Sequence, residues 1–233
     1  MEHSFTPIIK DVLSCMYGKN GAEIYVKNLL IQYINEKTKS ANKGSKSRSS
    51  FANLYAIYVI VEDYIAHDFD TNSMYRNYEG AQFSHLFQRQ RELPFGSKLQ
   101  NHALNNRMNA EFQKFFPTAD IIPILRDLET NRYWINENLL IVDVGGVQYN
   151  VAKAIIAIID EYVKIKQDSF QRFVAQCKEL QAIEANNSAN VREFITGLLA
   201  PNVDARLFEI VSYAILKYYY KDQTIIWGYS WEN

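Results

Sequence analysis

Apolar residues recur at helical spacing along most of the first 116 positions. After Pro7, which suits the first turn of a helix, they repeat every three or four residues as far as Met16. The run AEIYVKNLLIQYINEKTK, residues 22–39, keeps this period and predicts one longer helix. The segment FANLYAIYVIVEDYIAHDF, residues 51–69, is apolar on almost every side, which predicts a central, buried helix.

The next part of the chain predicts two more helices and then a change of period. Residues 79–92 and 98–116 have helical patterns, and Pro94 and Gly96 in the run LPFGSK separate them. From Arg132 onward the runs RYWI, NLLIVDV and VQYNV are short and typical of strands. The pair Gly145-Gly146 between the last two runs predicts a β-hairpin.

The last third returns to helical patterns. Residues 151–185 predict one long helix or two, residues 191–199 a short helix, residues 203–220 a strong amphipathic helix, and TIIWGY at 224–229 a strand. The fold class predicted is therefore mainly α: a bundle-like helical domain with a small β-hairpin, ending in a helix and a strand that would open an α/β core. We predict three regions: a helical region at residues 1–130, the β-hairpin and long helices at residues 131–200, and the incomplete start of an α/β core at residues 201–233.

The chain is long enough for one large or two small domains, and its net charge of −1 conceals an asymmetry. Residues 1–116 carry 14 basic and 11 acidic side chains, a balance of +3, whereas residues 117–233 carry 11 and 15, a balance of −4. A basic face on the first half is therefore compatible with a nearly neutral protein.

The composition indicates a protein of the cytoplasm without membrane contact. Cys15 and Cys177 lie far apart in helical patterns, which predicts buried free thiols in a reducing compartment. The chain contains no run of 18 apolar residues, and the N-terminal residues lack the basic start and apolar core of a signal peptide.

Motifs of known enzyme chemistry are scarce. The sequence has no glycine-rich phosphate loop, no zinc-type spacing of Cys and His, and no serine-nucleophile motif. The run HDFD at 67–70 places a histidine near two carboxylates, which is compatible with a metal site and equally with a solvated helix end. These motifs alone name no enzyme.

A basic, hydroxyl-rich stretch precedes the central helix. Residues 37–61 contain five basic side chains and no acidic one. The five basic residues all lie between Lys37 and Arg48. Flexible cations, serine hydroxyls and glycine-exposed amides are suited to phosphate contacts, which we predict for Lys39, Lys43, Lys46 and Arg48. The alternative is a solvated linker.

The stretch FQRQRELPFGSKLQNHALNNR, residues 87–107, is rich in amides and guanidinium groups. Arginine binds guanine through two parallel hydrogen bonds, and glutamine or asparagine can bind adenine in the same way. The residues predicted to approach DNA bases or backbone are Gln88, Arg89, Gln90, Arg91, Asn101, Asn105 and Arg107. The alternative is an exposed helical face with polar pairs at i,i+4.

The segment ARLFEIVSYAILKYYYKDQTIIWGY, residues 205–229, resembles the opening of a PD-(D/E)XK nuclease core, in which a helix carrying a glutamate precedes the first core strand. The run SKSRSSFANLYAIYVIVEDY, residues 45–64, is similar to the N-terminal region of type II restriction endonucleases. The resemblance implies recognition of double-stranded DNA, Mg²⁺-dependent hydrolysis of phosphodiesters in the intact enzyme, and a possible homodimer. It also implies that Glu209 is a catalytic, metal-binding residue.

The sequence departs from this family after Tyr229, where only SWEN remains and no metal-binding Asp or (D/E)XK strand follows. Asp143 lies on a predicted strand but has no acid-x-Lys partner nearby. We therefore expect the recognition part of a nuclease with a truncated catalytic core, which would not bind Mg²⁺ fully by itself. Two alternatives remain: a non-enzymatic helical protein-interaction module, and a complete DNA-binding protein without hydrolytic activity.

Overall fold

The computed structural model describes residues 5–40, 47–72 and 74–182, together with eight isolated positions between 192 and 220. The chain divides into two compact units. The first comprises Met1–Ala41 and Arg48–Lys164, and the second comprises Asn42–Ser47 and Ile165–Asn233. Glu209 and the strand predicted at 224–229 lie outside the described residues, as does nearly all of the predicted α/β core.

The described part of the chain is mostly helical, which confirms the mainly α prediction. The α-helices are α1 (Thr6–Tyr17), α2 (Gly21–Lys27), α3 (Leu29–Ser40), α4 (Ser47–Ala66), α5 (Phe83–Glu92), α6 (Met108–Phe115) and α7 (Ala152–Ala182). A single π-helical turn, Ala103–Arg107, precedes α6. No helix in these ranges combines the length and the apolar character needed to cross a membrane.

Helix α4 is the centre of the first unit, as its all-round apolar pattern predicts. Every residue from Phe51 to Val61 is buried. The ring of Phe51 contacts Tyr162 of α7 with 5.8 Å between centroids, and Ile155 and Ile158 on the first turns of α7 are fully buried. Each such isoleucine contributes about 1.5–3 kcal/mol by leaving water, so this packing is a main source of stability.

The helix predicted over residues 22–39 is two helices, because the chain is extended at Asn28. Its φ and ψ are −89° and 108°. The buried side chain accepts a hydrogen bond from the Ile31 backbone N–H (2.8 Å) and donates one to the Leu139 carbonyl (2.7 Å). The first bond caps α3, and the second depends on a residue more than a hundred positions away, which periodicity cannot reveal.

Two small antiparallel sheets complete the first unit. One has the order β1-β3-β2, from Ala81–Gln82, Arg132–Ile135 and Ile124–Asp127. The other is the predicted hairpin of β4 (Ile141–Val144) and β5 (Val147–Asn150), with Gly145 and Gly146 at φ 62° and 83°. Positive φ values favour glycine at both turn positions, so the hairpin prediction is confirmed.

The two sheets tie distant parts of the sequence together. Strand β1 pairs with β3, so the first unit contains residues from both sides of the boundary predicted at residue 130. The hairpin binds the N-terminal helices through Tyr17 to the Asn150 carbonyl (2.8 Å), Asn20 to the Tyr149 hydroxyl (2.7 Å) and Lys27 to the Asp143 carbonyl (3.0 Å). These long-range bonds fix α1 and α2 on the hairpin.

Candidate nucleic-acid interface

The sharp turn after α5 shapes the candidate site. Helix α5 ends at Glu92 because Leu93 is extended before Pro94, which the proline ring favours. The Gly96 N–H then donates to the Leu93 carbonyl (2.8 Å) and the Leu99 N–H to the Gly96 carbonyl (2.9 Å). Leu99 is buried and anchors the far side of the turn. The chain thereby folds back beside the last turns of α5.

An open cleft of about 510 Å³ lies between α5 and this turn. Its lining residues are Phe87, Arg91, Lys98, Leu99, Gln100, Asn101 and His102. Two of these side chains are permanent cations, two carry amides, one is an imidazole, and none is a carboxylate. Such a lining offers many hydrogen-bond donors with net positive charge, which suits an anionic ligand with polar edges.

Arg91 is held in a defined orientation at the edge of the cleft. Its Nε and Nη2 donate to the Ser97 carbonyl at 3.0 and 2.7 Å, and its guanidinium carbon lies 5.7 Å from the centroid of the Phe87 ring. These contacts leave Nη1 for an external acceptor. Because the guanidinium is already ordered, ligand binding requires less loss of side-chain entropy.

The remaining polar side chains of the cleft are available to a ligand. Lys98, Gln100 and His102 are exposed, and their side chains form no hydrogen bond or ion pair with any described residue. Asn101 is half-buried beside them. The cleft thus brings together two residues that the sequence analysis predicts, Arg91 and Asn101, and adds Lys98, which that prediction omits.

Three other predicted base-contact residues serve the fold. Gln90 is fully buried and donates to the Ala52 carbonyl (2.8 Å), so its predicted contact with DNA is wrong. Arg89 makes two hydrogen bonds of 2.8 Å to Glu62, which also raises the pKa of its guanidinium. The side chain of Asn105 accepts from the Tyr133 hydroxyl (2.8 Å), so it too already has a partner inside the protein.

The other two predicted residues of this stretch are exposed but lie outside the cleft. Gln88 donates to Glu92 one helical turn further along α5 (3.3 Å). Arg107 ends the π-helical turn before α6. DNA contacts by these two side chains stay predictions.

The basic stretch before α4 is only partly a loop. Lys37 and Lys39 belong to α3, and Lys37 is 3% exposed and ion-paired with Glu111, so a phosphate contact by Lys37 is excluded. Lys39 is partly exposed and pairs with Glu36. Lys43, Lys46 and the side chain of Arg48 lie outside the described residues, and their phosphate contacts stay predictions.

Lys37 is part of a buried polar network that joins three helices. Glu111 of α6 accepts from Lys37 with Oε1 and from the Asn53 amide with Oε2 (2.6 Å). The same amide donates to the Tyr33 hydroxyl (2.8 Å), whose pKa is raised by burial and then by the Glu111 charge. The network neutralises a buried lysine and therefore has a structural role.

The HDFD run lies at the C-terminal end of α4. The Nδ1 atom of His67 is 3.7 Å from one carboxylate oxygen of Asp63, and the Tyr78 hydroxyl donates to the other (2.9 Å). Asp70 instead pairs with Lys153 (2.7 Å). The described residues contain no group of three or more His, Cys, Asp or Glu side chains arranged to hold a metal ion.

Burial raises the pKa of Asp63, which leads to a prediction about stability. Because the folded chain binds this proton more tightly than the unfolded chain, the contribution of Asp63 to stability falls as the pH rises from about 4 through its folded pKa. Asp63→Asn should lack this decline, and the amide oxygen of the new side chain can still accept from Tyr78. The free energy of unfolding of the variant, measured with urea, should therefore increase relative to that of the wild type as the pH rises from about 4 to 7. A difference in free energy of unfolding between variant and wild type that stays constant over this pH range would contradict the prediction.

Two further expectations concern metal binding and thiols. The Mg²⁺ expectation depends on Glu209, which lies outside the described residues, so this expectation stays a prediction. Cys15 is exposed on α1, so the prediction of burial is wrong for this thiol. The helical period places Cys15 near the apolar side of α1, but on that side only Ile9 and Leu13 are fully buried. The side chain of Cys177 lies outside the described residues.

Comparisons with known proteins give no relative from which a function could be transferred. No protein-family model matches this chain, and neither the curated proteins nor the solved structures give a match.

Proposed function

We propose that this chain binds DNA through the cleft between α5 and the turn that follows it. The observation that carries the proposal is the cleft's charge: Arg91 and Lys98 face one concave surface without any carboxylate in its lining. Phosphates are bound in proteins by such cations, and the adjacent amides of Gln100 and Asn101 add donors and acceptors for base edges.

The wider role that we propose is DNA recognition within a type II restriction endonuclease. Its support is the resemblance of residues 205–229 to the opening of a PD-(D/E)XK core. In such an enzyme Glu209 would bind Mg²⁺, which would supply the charge stabilisation needed for phosphodiester hydrolysis. The proposed ligand is double-stranded DNA, and a homodimer would match a palindromic site.

Replacing Lys98 should weaken DNA binding regardless of sequence. Loss of one phosphate contact should lower the affinity of Lys98→Ala for random duplex DNA, and the slope of log affinity against log salt should decrease in magnitude by about 1. Fluorescence anisotropy with labelled duplexes over a series of salt concentrations measures both quantities. The matched control is Lys19→Ala, an exposed lysine that does not line the cleft.

The outcome decides between the candidate functions. If Lys98→Ala and Lys19→Ala have the same affinity and slope as the wild type, the cleft is not the DNA site. If the wild type binds no DNA even at low salt, the protein-interaction module is favoured. Adding Mg²⁺ and analysing the DNA afterwards shows whether this chain also cuts, which would require metal ligands beyond Glu209.

A further inference from the structure

The shape of the cleft limits which part of a nucleic acid can enter it. Its lining residues form a shallow concave surface, widely open to solvent, between Phe87 and His102. Base pairs in a duplex present their edges at the floor of a groove, so proteins read them with a projecting helix or β-ribbon. Of the four residues on helix α5 that the sequence analysis predicts to contact DNA, Gln90 is buried and Arg89 is bound to Glu62, which leaves only Gln88 and Arg91. A concave site instead receives a group that projects from the nucleic acid.

The size of the cleft fits a group larger than a phosphate. Its volume of about 510 Å³ lies within the range of about 300–1,000 Å³ that small-molecule sites occupy in proteins. A duplex cannot enter a space of this size. One nucleotide can, if its base is not stacked in a helix.

The lining also matches the phosphate and the base of a nucleotide. Arg91 and Lys98 supply cations for a phosphate, and Phe87 and Leu99 add apolar surface to the same lining. The side-chain amides of Gln100 and Asn101 each place a donor beside an acceptor, as the hydrogen-bonding edge of an unpaired base requires.

We propose that this cleft binds one unpaired nucleotide of a DNA strand, an inference that rests on the DNA binding proposed above. The phosphate lies against Nη1 of Arg91 and the Lys98 ammonium. The base lies beside Phe87 and Leu99, with its edge at Gln100 and Asn101. Duplex DNA then binds through this site where a nucleotide is unpaired or has left the base stack.

The test compares three labelled probes of one sequence by fluorescence anisotropy with the full chain: a single strand, the perfect duplex, and that duplex with one unpaired nucleotide. We expect the first and third probes to bind at least about tenfold more tightly than the perfect duplex, as contacts to one exposed base permit. Unlabelled nucleoside monophosphate should displace the single strand at concentrations at which inorganic phosphate does not.

Two variants separate the base contacts from the phosphate contact. Gln100→Ala combined with Asn101→Ala should reduce the preference for unpaired probes, whereas Lys98→Ala should weaken all three probes alike. Equal affinity for the single strand and the perfect duplex overturns the unpaired-nucleotide inference but leaves DNA binding intact. Displacement by inorganic phosphate as effective as by the nucleotide also overturns it. Absence of binding to every probe at low salt refutes both proposals.

Discussion

Glu111→Ala should lower the free energy of unfolding by about 3 kcal/mol, because it leaves the buried Lys37 ammonium without its counter-charge. The same change removes one of the two acceptors of the Asn53 amide, which is fully buried. Glu111 is itself 25% exposed, so water can partly replace it, and the expected loss is at the lower end of the range for broken buried pairs. Urea unfolding followed by circular dichroism measures the loss.

A matched variant and a double variant make this prediction specific. Glu129→Ala removes an exposed carboxylate that has no partner among the described side chains, and it should change stability by less than about 0.5 kcal/mol. Lys37→Met combined with Glu111→Leu removes both charges and should recover a large part of the loss. If Glu111→Ala costs no more than Glu129→Ala, the buried pair has no stabilising role.

Gly96→Ala should disrupt the turn that forms the cleft. An added Cβ would overlap the Gln90 carbonyl and lie 2.7 Å from the Leu93 carbonyl, and both are backbone groups that cannot rotate away. Relief of this overlap requires the turn to open, which should cost about 2–3 kcal/mol. The Ser97 carbonyl would then leave Arg91, so the affinity for the cleft ligand should also fall, by about tenfold or more.

The control for this variant is Gly145→Ala in the β4–β5 hairpin. No atom lies within 4 Å of the added Cβ there, so only the positive φ of 62° costs free energy, about 1 kcal/mol. DNA affinity should stay at the wild-type value in this control. If Gly96→Ala has the same stability and DNA affinity as the wild type, the backbone carbonyls of Gln90 and Leu93 do not lie as close to residue 96 as described above.

Local patterns predicted the helices better than they predicted the strands. Helices α1 and α4 follow from apolar spacing, and the hairpin follows from its two glycines. Strand β1 has only two residues and forms by pairing with β3, about fifty positions later, so no local pattern marks it. The break at Asn28 likewise depends on the Leu139 carbonyl. Elements that depend on distant partners are those that the sequence could not reveal.

The candidate site was predictable in part. Gln90 lies four residues after Leu86, and both are buried, so helical spacing alone could have placed Gln90 inside the fold. The pairing of Arg89 with Glu62 could not be read from the sequence, because the partner lies on another helix. Lys98 joins Arg91 only because the chain reverses at Gly96, so the cleft depends on tertiary structure.

The bonds between the N-terminal helices and the hairpin affect the order of events during synthesis on the ribosome. Tyr17 and its acceptor on Asn150 are 133 positions apart. At about 5–20 residues per second, Asn150 is synthesised roughly 7–27 seconds after Tyr17, so α1 and α2 exist for that time without the hairpin. During that interval the Tyr17, Asn20 and Lys27 donors lack these acceptors, so the first unit completes its folding only after β5 has been synthesised.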